Sequence, residues 1–297
     1  MIHNFDTFSE VKLYCFLQHS LGRQDCISVR NFRWEFDKIC GFLVYSVQRG
    51  GSTSPKILVM TKKISNIIQP MNLSVIIPVY NEAGNIREIL KRVEAQNLAN
   101  EIVVVDDGST DGTRDILREL DGQTTVRVIL HERNQGKGAA VVTGLKASRG
   151  ELLLIQDADL EYDPRDYPQL LKPIEEGLAD VVYGSRFLGG PRRVTMFWHM
   201  VANRMLTTMT NILYDTILTD METGYKVFRR GVVDGMNIKA RRFDFEPEFT
   251  AKVLKRHHRI FEVPITFNPR DYSEGKKIKL KDAFEAVWTL LKYRFVD

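Results

Sequence analysis

Cysteine is scarce. Cys15, Cys26 and Cys40 are the full complement of three, an odd number without C-x-x-C spacing, which excludes a disulfide framework or a structural zinc site and fits a reducing compartment. Long apolar runs are also missing: no stretch reaches the ~18–20 uninterrupted apolar residues of a membrane span. The nearest approach, residues 196–218, is broken by His199, Arg204 and Asp215, so a membrane contact is expected to be peripheral. The N-terminus lacks the basic-then-apolar order of a secretory signal. Neither sign of charge dominates, since 42 Lys and Arg against 38 Asp and Glu leave a net +4, too mild for a protein that wraps nucleic acid. What is abundant is apolar side chain, 43% of residues, enough for a large packed domain and incompatible with disorder as the main state.

The chain changes character at Met71. Residues 1–70 hold all three cysteines, show no sustained period of 2 or 3.6, and contain a Gly/Ser-rich breaker over residues 48–55. They read as an N-terminal extension of uncertain structure that lies outside the functional domain. Two alternatives stay open: a small β-rich module, or a stretch upstream of the true start, with Met71 as a natural initiator. The functional domain is assigned to residues 71–297. There, strand-like runs at 73–77, 101–105, 126–130, 152–156 and 180–183 alternate with helical periodicity at 86–95, 114–120, 139–147 and 167–178. Such a βαβ series predicts an α/β fold, a mostly parallel Rossmann-like sheet with helices on both faces and its chemistry in the loops at the carboxyl ends of the strands.

Those loops are polar. Strand one runs into Pro78-Val-Tyr80-Asn-Glu82, strand two into Asp106-Asp107-Gly108-Ser-Thr-Asp-Gly112, and strand four into Asp157-Ala-Asp159-Leu-Glu161. Asp-Gly-Ser-Thr is also ordinary turn and N-cap chemistry. In the third cluster, carboxylates two residues apart would share one side of an extended segment. Like charges so placed repel unless a cation lies between them, and hard oxygen donors suit Mg²⁺ or Mn²⁺. The glycines of Asn134-Gln-Gly136-Lys137-Gly138 fail the spacing of both the phosphate loop and the dinucleotide fingerprint. They are expected to shape the turn into a helix, with Lys137 near phosphate or solvated.

Taken together with Gly184-Ser-Arg186, these motifs resemble family-2 inverting glycosyltransferases of the GT-A fold. Asp220-Met-Glu-Thr-Gly-Tyr-Lys-Val-Phe228 and Arg270-Asp-Tyr-Ser-Glu-Gly-Lys276 are similar to the dolichol-phosphate mannosyltransferase-like branch. The resemblance covers about residues 72–295. It implies that Pro78, Tyr80 and Glu82 contact the donor nucleotide, and that Val104 and Asp106 surround base and ribose. Asp157, Ala158 and Asp159 would follow the diphosphate, with Asp157, Asp159 and Glu161 as the metal site. Arg186 matches a diphosphate-binding arginine, and Arg270 with Lys276 matches the basic pair of a loop closing over the donor. Glu161 stands where the family often has glutamine.

The activity so implied is transfer of a hexose, mannose favoured over glucose, from a nucleotide diphosphate sugar such as GDP-mannose to a polyprenyl or dolichyl phosphate, with inversion. Asp159 and Asp220 are the candidate catalytic residues, Asp220 orienting groups near the reacting carbon, and Arg204 is the candidate for the acceptor phosphate. A base would be needed only in an alternative, transfer to a hydroxyl of a lipid-linked saccharide; a non-catalytic nucleotide-sugar-binding subunit is the other. Peripheral attachment to the cytoplasmic membrane face is expected through residues 196–218 and a C-terminal amphipathic helix. On that helix Phe284, Val287, Leu290 and Leu291 form one stripe flanked by Lys277, Lys279, Lys281, Lys292 and Arg294. An ordinary core helix would show the same pattern. Since the chain stops at Asp297, anchoring would fall to such helices or to a partner subunit.

Overall fold

A computed structural model describes residues 27–28, 41–49, 52–60, 72–123, 125–189, 197–270 and 280–296. The chain divides into two units, Met1–Gln69 and Pro70–Asp297. In the first, strands β1 (Ile27–Ser28), β2 (Gly41–Arg49) and β3 (Ser52–Met60) pair antiparallel in that order, with Arg49 opposite Ser52. The expected breaker over 48–55 is therefore largely strand, because cross-strand hydrogen bonding outweighs the weak β-propensity of Ser and Pro.

The second unit is built on a seven-stranded sheet of order β10-β8-β9-β7-β4-β5-β6. Its strands are β4 (Leu73–Val79), β5 (Glu101–Asp106), β6 (Val126–Leu130), β7 (Leu152–Ile155), β8 (Val181–Ser185), β9 (Lys226–Arg229) and β10 (Ile260–Pro264). β4 pairs parallel with β5 and β7, β5 with β6, and β8 with β10. Only β9 runs the other way, antiparallel to both β7 and β8. It lies outside the periodic series of the first hundred residues and was not among the expected strands, nor was β10. Because β9 is reversed, the segment that leads into it, 220–224, arrives at the edge where the parallel strands end.

Alternation along the strands sorts side chains onto two faces. Val75, Ile77, Leu152, Leu154, Val182 and Val227 face one apolar cluster, which helices α1 (Ile86–Glu94), α2 (Thr113–Leu120) and α4 (Tyr167–Glu175) cover. Ile76, Leu153, Ile155, Val181, Tyr183 and Phe228 face another, which α3 (Lys137–Ala147), α5 (Phe197–Tyr214), α7 (Phe245–Lys255) and α8 (Leu280–Phe295) cover. A short helix, α6 (Arg230–Val233), follows β9. Strands buried on both faces read as the near-continuous apolar runs seen in the sequence.

Two local differences from the sequence reading bear on function. Residues 157–161 are a turn rather than an extended segment. Leu160 adopts φ +63° there, and the Gln156 side-chain amide donates to the carbonyl of Asp157 at 3.0 Å. In α8 the buried positions are Ala286, Thr289, Leu290 and Tyr293, whereas Phe284, Trp288, Leu291 and Phe295, spaced 4, 3 and 4 apart, face outward. The expected stripe of Phe284, Val287, Leu290 and Leu291 thus straddles two faces, because Leu290 packs toward the sheet while Tyr214 Oη donates to its carbonyl at 2.8 Å.

Candidate active site

The carboxyl ends of β4, β5, β7, β8 and β10 and the amino end of β9 surround a cavity of about 620 Å³, a size typical of small-molecule sites. Its first wall is the loop after β4, which places Pro78, Tyr80 and Glu82 on the lining. That loop is fixed by the Asp-Gly-Ser-Thr segment beyond β5. Ser109 Oγ accepts from Asn81 N at 2.9 Å, Thr113 Oγ1 accepts from Glu82 N at 3.0 Å, and Asn81 Oδ1 accepts from Thr110 N at 2.8 Å. The segment's turn chemistry serves the neighbouring loop, and it brings one residue of its own, Asp107, to the cavity.

Two expected contacts are corrected here. Val104 is fully buried in mid-strand, paired in register with Ile77 and Val128, and its side chain belongs to the core. Asp106 is fully buried away from the lining, and accepts from Arg114 Nε at 2.8 Å and from Ser109 N at 3.3 Å. Strand alternation explains both, since residues one apart point to opposite faces and the adjacent Asp107 takes the open side. Asp107 accepts from Gln135 N at 2.9 Å and Gly136 N at 2.7 Å, and contacts His131 Nδ1 at 2.8 Å. It thereby pins the glycine-rich turn.

That turn is no phosphate cradle. Gly136, at φ +102°, and Gly138 leave room for the backbone of Arg241 and Arg242, which a Cβ would meet at 2.2 Å and 2.8 Å respectively. The carbonyls of Arg242 and Arg241 accept from Gly138 N and Ala139 N, both at 3.0 Å, so the first amides of α3 are already satisfied. Lys137 is ion-paired, with 21% of its side chain still exposed. Its ammonium lies 2.9 Å from Asp157 Oδ1 and 3.2 Å from Glu246 Oε1. Burial works against that charge, yet the carboxylates of Asp157 and Glu246 hold Lys137 well above its ordinary range. Gly224 makes room for this contact, because a Cβ there would lie 2.7 Å from Asp157 Oδ2 and 3.1 Å from Lys137 Nζ.

Asp157, Ala158, Asp159 and Glu161 all line the cavity, and Arg270 crosses to them from the loop after β10. Its guanidinium donates to Asp159 Oδ2 at 2.9 Å and Glu82 Oε1 at 3.1 Å, while its backbone N donates to Glu161 Oε1 at 2.8 Å. Burial, then the charges of Asp157 and Glu161, push the Asp159 carboxyl up to about 7 even with Arg270 beside it. This cluster is short of positive charge. Among the described residues no three His, Cys, Asp or Glu side chains gather into an all-protein metal site. Asp157 and Asp159 nonetheless fit a hard divalent cation, which commonly takes one or two carboxylates and completes its shell from substrate phosphates and water. Glu161 is engaged with the loop that carries Arg270. Lys276, the other expected basic residue, lies outside the described residues.

Arg186, directly after β8, also lines the cavity. Asp220 holds it through Nε and Nη2, both at 2.7 Å, and accepts from its backbone N at 3.0 Å. Asp220 is itself fully buried, does not line the cavity, and takes a further hydrogen bond from Asn203 Nδ2 at 3.0 Å. Its geometry is that of a residue that positions Arg186. Arg204 is not on the cavity lining: it is exposed on α5 beside a separate shallow hollow with Met205, Met209 and Ile212, its guanidinium 5.9 Å from the ring of Phe187, the neighbour of Arg186.

Among the lining residues that sequence reasoning did not assign to the site are Asp107, Arg242, Glu222, Glu246 and the α5 residues His199 and Asn203. Glu246 had a signal, a carboxylate within the aromatic run Phe243-Asp-Phe245-Glu-Pro-Glu-Phe249, because a charge in an apolar stretch that is to be buried needs a purpose. For Glu222, burial and then the charge of Glu246 raise the carboxyl to about 8. Lys226, fully buried nearby, is lowered by burial to about 8, although Glu246, Asp220 and Glu222 oppose the shift.

An acidic turn faced by lysine and arginine thus lies at the carboxyl edge of the mostly parallel sheet. Residues 74–236 match glycosyl transferase family 2, and the chain belongs to that family. It is 33% identical over 231 residues to a dolichol-phosphate mannosyltransferase of Pyrococcus furiosus, a match covering 75% of this chain and 64% of that protein. It is 34% identical over 215 residues to an undecaprenyl-phosphate 4-deoxy-4-formamido-L-arabinose transferase of Pseudomonas aeruginosa, covering 70% and 61%. The matches thus span a little over three-fifths of these relatives. In fold it is similar to glucosyl-3-phosphoglycerate synthase of Mycobacterium tuberculosis, solved with Mn²⁺, UDP and phosphoglyceric acid, at a TM-score of 0.61 and 19% identity over 76% of this chain and 80% of that one. The fold is of the GT-A type.

Proposed function

We propose that the protein transfers a hexose, mannose in preference to glucose, from a nucleotide diphosphate sugar to a polyprenyl phosphate, with inversion at the anomeric carbon. The observation that carries this reading is the facing of the Asp157–Glu161 turn by Arg186, Arg270 and Lys137 around one cavity. Both relatives named above are transferases whose names carry a polyprenyl phosphate, which supports the acceptor class. Offering polyprenyl phosphate with labelled GDP-mannose and UDP-glucose in parallel tests it. Label in neither lipid product would overturn the reading, and transfer to a lipid-linked saccharide instead would favour the hydroxyl-acceptor alternative.

The acceptor eases the chemistry. A phosphate monoester is substantially ionised near neutrality, with a second pKa around 6, so its oxygen attacks without a strong protein base. What must be stabilised is the charge that develops on the departing nucleotide diphosphate. Arg186 meets it with a guanidinium held rigid by Asp220, so little reorganisation is needed as charge builds. Lys137, fixed between Asp157 and Glu246, stands at the other side of the acidic turn. Asp157 and Asp159 would hold Mg²⁺ or Mn²⁺, which when bound supplies Lewis-acid neutralisation of phosphate oxygens. Pro78, Tyr80, Glu82 and Asp107 line the nucleotide end.

Arg270 is assigned to the diphosphate as well, released from Asp159 and Glu82 as the donor and its cation arrive. Charge-assisted contacts contribute about 1.5–3 kcal/mol, so Arg270→Ala is expected to lose roughly ten- to a hundredfold in kcat/KM for the sugar nucleotide. The acceptor KM should change little. Steady-state kinetics with each substrate varied at saturating partner checks this, and a defect confined to the acceptor would move Arg270 to the lipid side. Lys276→Ala is expected to behave in the same way.

Contact with the lipid is assigned to α5 and α8, which pack together and expose Phe197, Trp198, Met205 and Ile212 on one and Phe284, Trp288 and Phe295 on the other. Arg204, Lys292 and Arg294 border these side chains, a combination suited to an anionic membrane surface, and Arg204 is the candidate for the acceptor phosphate on this side. No helix among the described residues is long and apolar enough to cross a membrane. Attachment is therefore proposed to be peripheral, at the cytoplasmic face, alone or with an anchoring subunit.

Residues 1–70 are proposed to be dispensable for catalysis, since every motif used above lies after Met71. A protein beginning at Met71 is expected to keep turnover within a factor of two of the full chain. Turnover below about a tenth, equivalent to roughly 1.4 kcal/mol of lost transition-state stabilisation, in a truncated protein that folds would assign the segment to the active enzyme.

A further inference from the structure

Two carboxylate oxygens on the cavity side have no hydrogen-bond partner: Glu222 Oε1, just before β9, and Glu246 Oε2, in the first turn of α7. Both atoms are buried, and Glu246 as a residue is 4% exposed. Unpaired acceptors of this kind are costly to bury and rare in packed interiors, so their place on a ligand cavity calls for hydrogen-bond donors from the ligand. Their position says which part of the ligand. Glu246 uses its other oxygen to hold Lys137 at 3.2 Å, and Lys137 reaches Asp157 at 2.9 Å, so the two glutamates lie one side chain beyond the acidic turn assigned to the diphosphate. Both line the same cavity as that turn, beside the place a sugar linked to the diphosphate would take.

We propose that Glu222 and Glu246 form the subsite that grips the transferred sugar by its ring hydroxyls, selecting a hydroxyl-rich hexose. This rests on the cavity being a nucleotide-sugar site. Burial and then the charge of Glu246 raise the Glu222 carboxyl to about 8, as expected for a buried acceptor that no protein donor satisfies. A site built around hydroxyl donors discriminates strongly against an analogue lacking one, because its own buried acceptor is then left unpaired.

The test needs no turnover. Calorimetry on the full chain measures Kd for GDP-mannose and UDP-glucose, for free GDP and UDP, and for the better-bound sugar nucleotide deoxygenated singly at each ring hydroxyl. The expected result is that at least one deoxy analogue binds the wild-type protein about tenfold or more weakly than its parent. Glu222→Gln or Glu246→Gln should reduce that preference to about twofold while the free nucleotide keeps its Kd within about threefold. The substrate series is read on the unaltered protein, so it stands even where a variant folds poorly. The proposal is overturned if no deoxy analogue is discriminated, if both variants retain the full preference, or if they weaken free nucleotide as much as sugar nucleotide. Binding of nucleotide sugars with no discrimination defeats the subsite alone, whereas failure of the wild-type protein to bind any nucleotide or sugar nucleotide defeats the nucleotide-sugar reading and this proposal together.

Discussion

Asp159→Ala is expected to abolish hexose transfer, by at least a thousandfold, while leaving the fold intact. The side chain stands on the turn after β7 and belongs to neither apolar cluster, so its loss removes no core packing. What it does hold is Arg270, at 2.9 Å, and with Asp157 it is the proposed seat of the divalent cation that balances the diphosphate. Removing a metal-holding carboxylate takes away both the cation's position and the charge stabilisation of the leaving group, terms of several kcal/mol. Circular dichroism and a thermal melt compared with turnover decide the matter. A variant that melts normally and regains near-normal activity with added Mg²⁺ or Mn²⁺ would remove Asp159 from the metal site.

Arg186 and Asp220 should be worth as much, by a different route. Asp220 is fully buried and Arg186 has only 17% of its side chain exposed, so the pair is largely out of water. Cutting one partner from such a pair costs about 3–5 kcal/mol because the other charge is left uncompensated. Arg186→Ala is therefore expected to lower stability by about 3 kcal/mol, given the partial exposure of the arginine and the remaining Asn203 contact. For a unit of this size that amounts to roughly 6–12 °C in Tm. Arg186→Lys keeps the charge but cannot make the two-pronged contact. Asp220→Asn and Arg186→Lys are each expected to lose about a hundredfold or more in kcat. The double variant should lose little beyond either alone, as residues acting through one contact do. Fully additive losses would instead mean that Asp220 touches the reacting groups itself.

Much of the parallel part of the sheet could be read from the chain. Five strands stood out, four because they are buried on both faces and so appear as apolar runs and the edge strand β6 through its β-branched residues, and four helices because each carries an apolar face at helical spacing. The polar loops after β4, β5 and β7 were visible for the same reason: charge that follows directly on a buried strand must surface at its end. β9 could not be seen, because a four-residue antiparallel strand inserted between β7 and β8 has no period of its own, and its partners are more than seventy residues away in one direction and about forty-five in the other. The reading of residues 157–161 as extended failed because Leu160 turns left-handed once Gln156 closes the turn from within.

The sequence by itself determined the family, the α/β architecture, and the acidic and basic residues that meet at one edge of the sheet, because these depend on local period and on residue type. Only the tertiary structure decided which of those charges face the cavity and which face each other. Val104 and Asp106 turned inward while Asp107 took the wall, since one residue of register reverses a side chain. Lys137 proved to be clamped by Asp157 and Glu246, Asp220 proved to stand behind Arg186, and Arg204 proved to be exposed on α5 over Phe187 rather than on the cavity lining. Glu222 and Glu246 line one cavity only because the reversed strand β9 carries the segment before it to the edge where α7 begins. Charge pairing and burial are set by distances across the fold, which no spacing along the chain records.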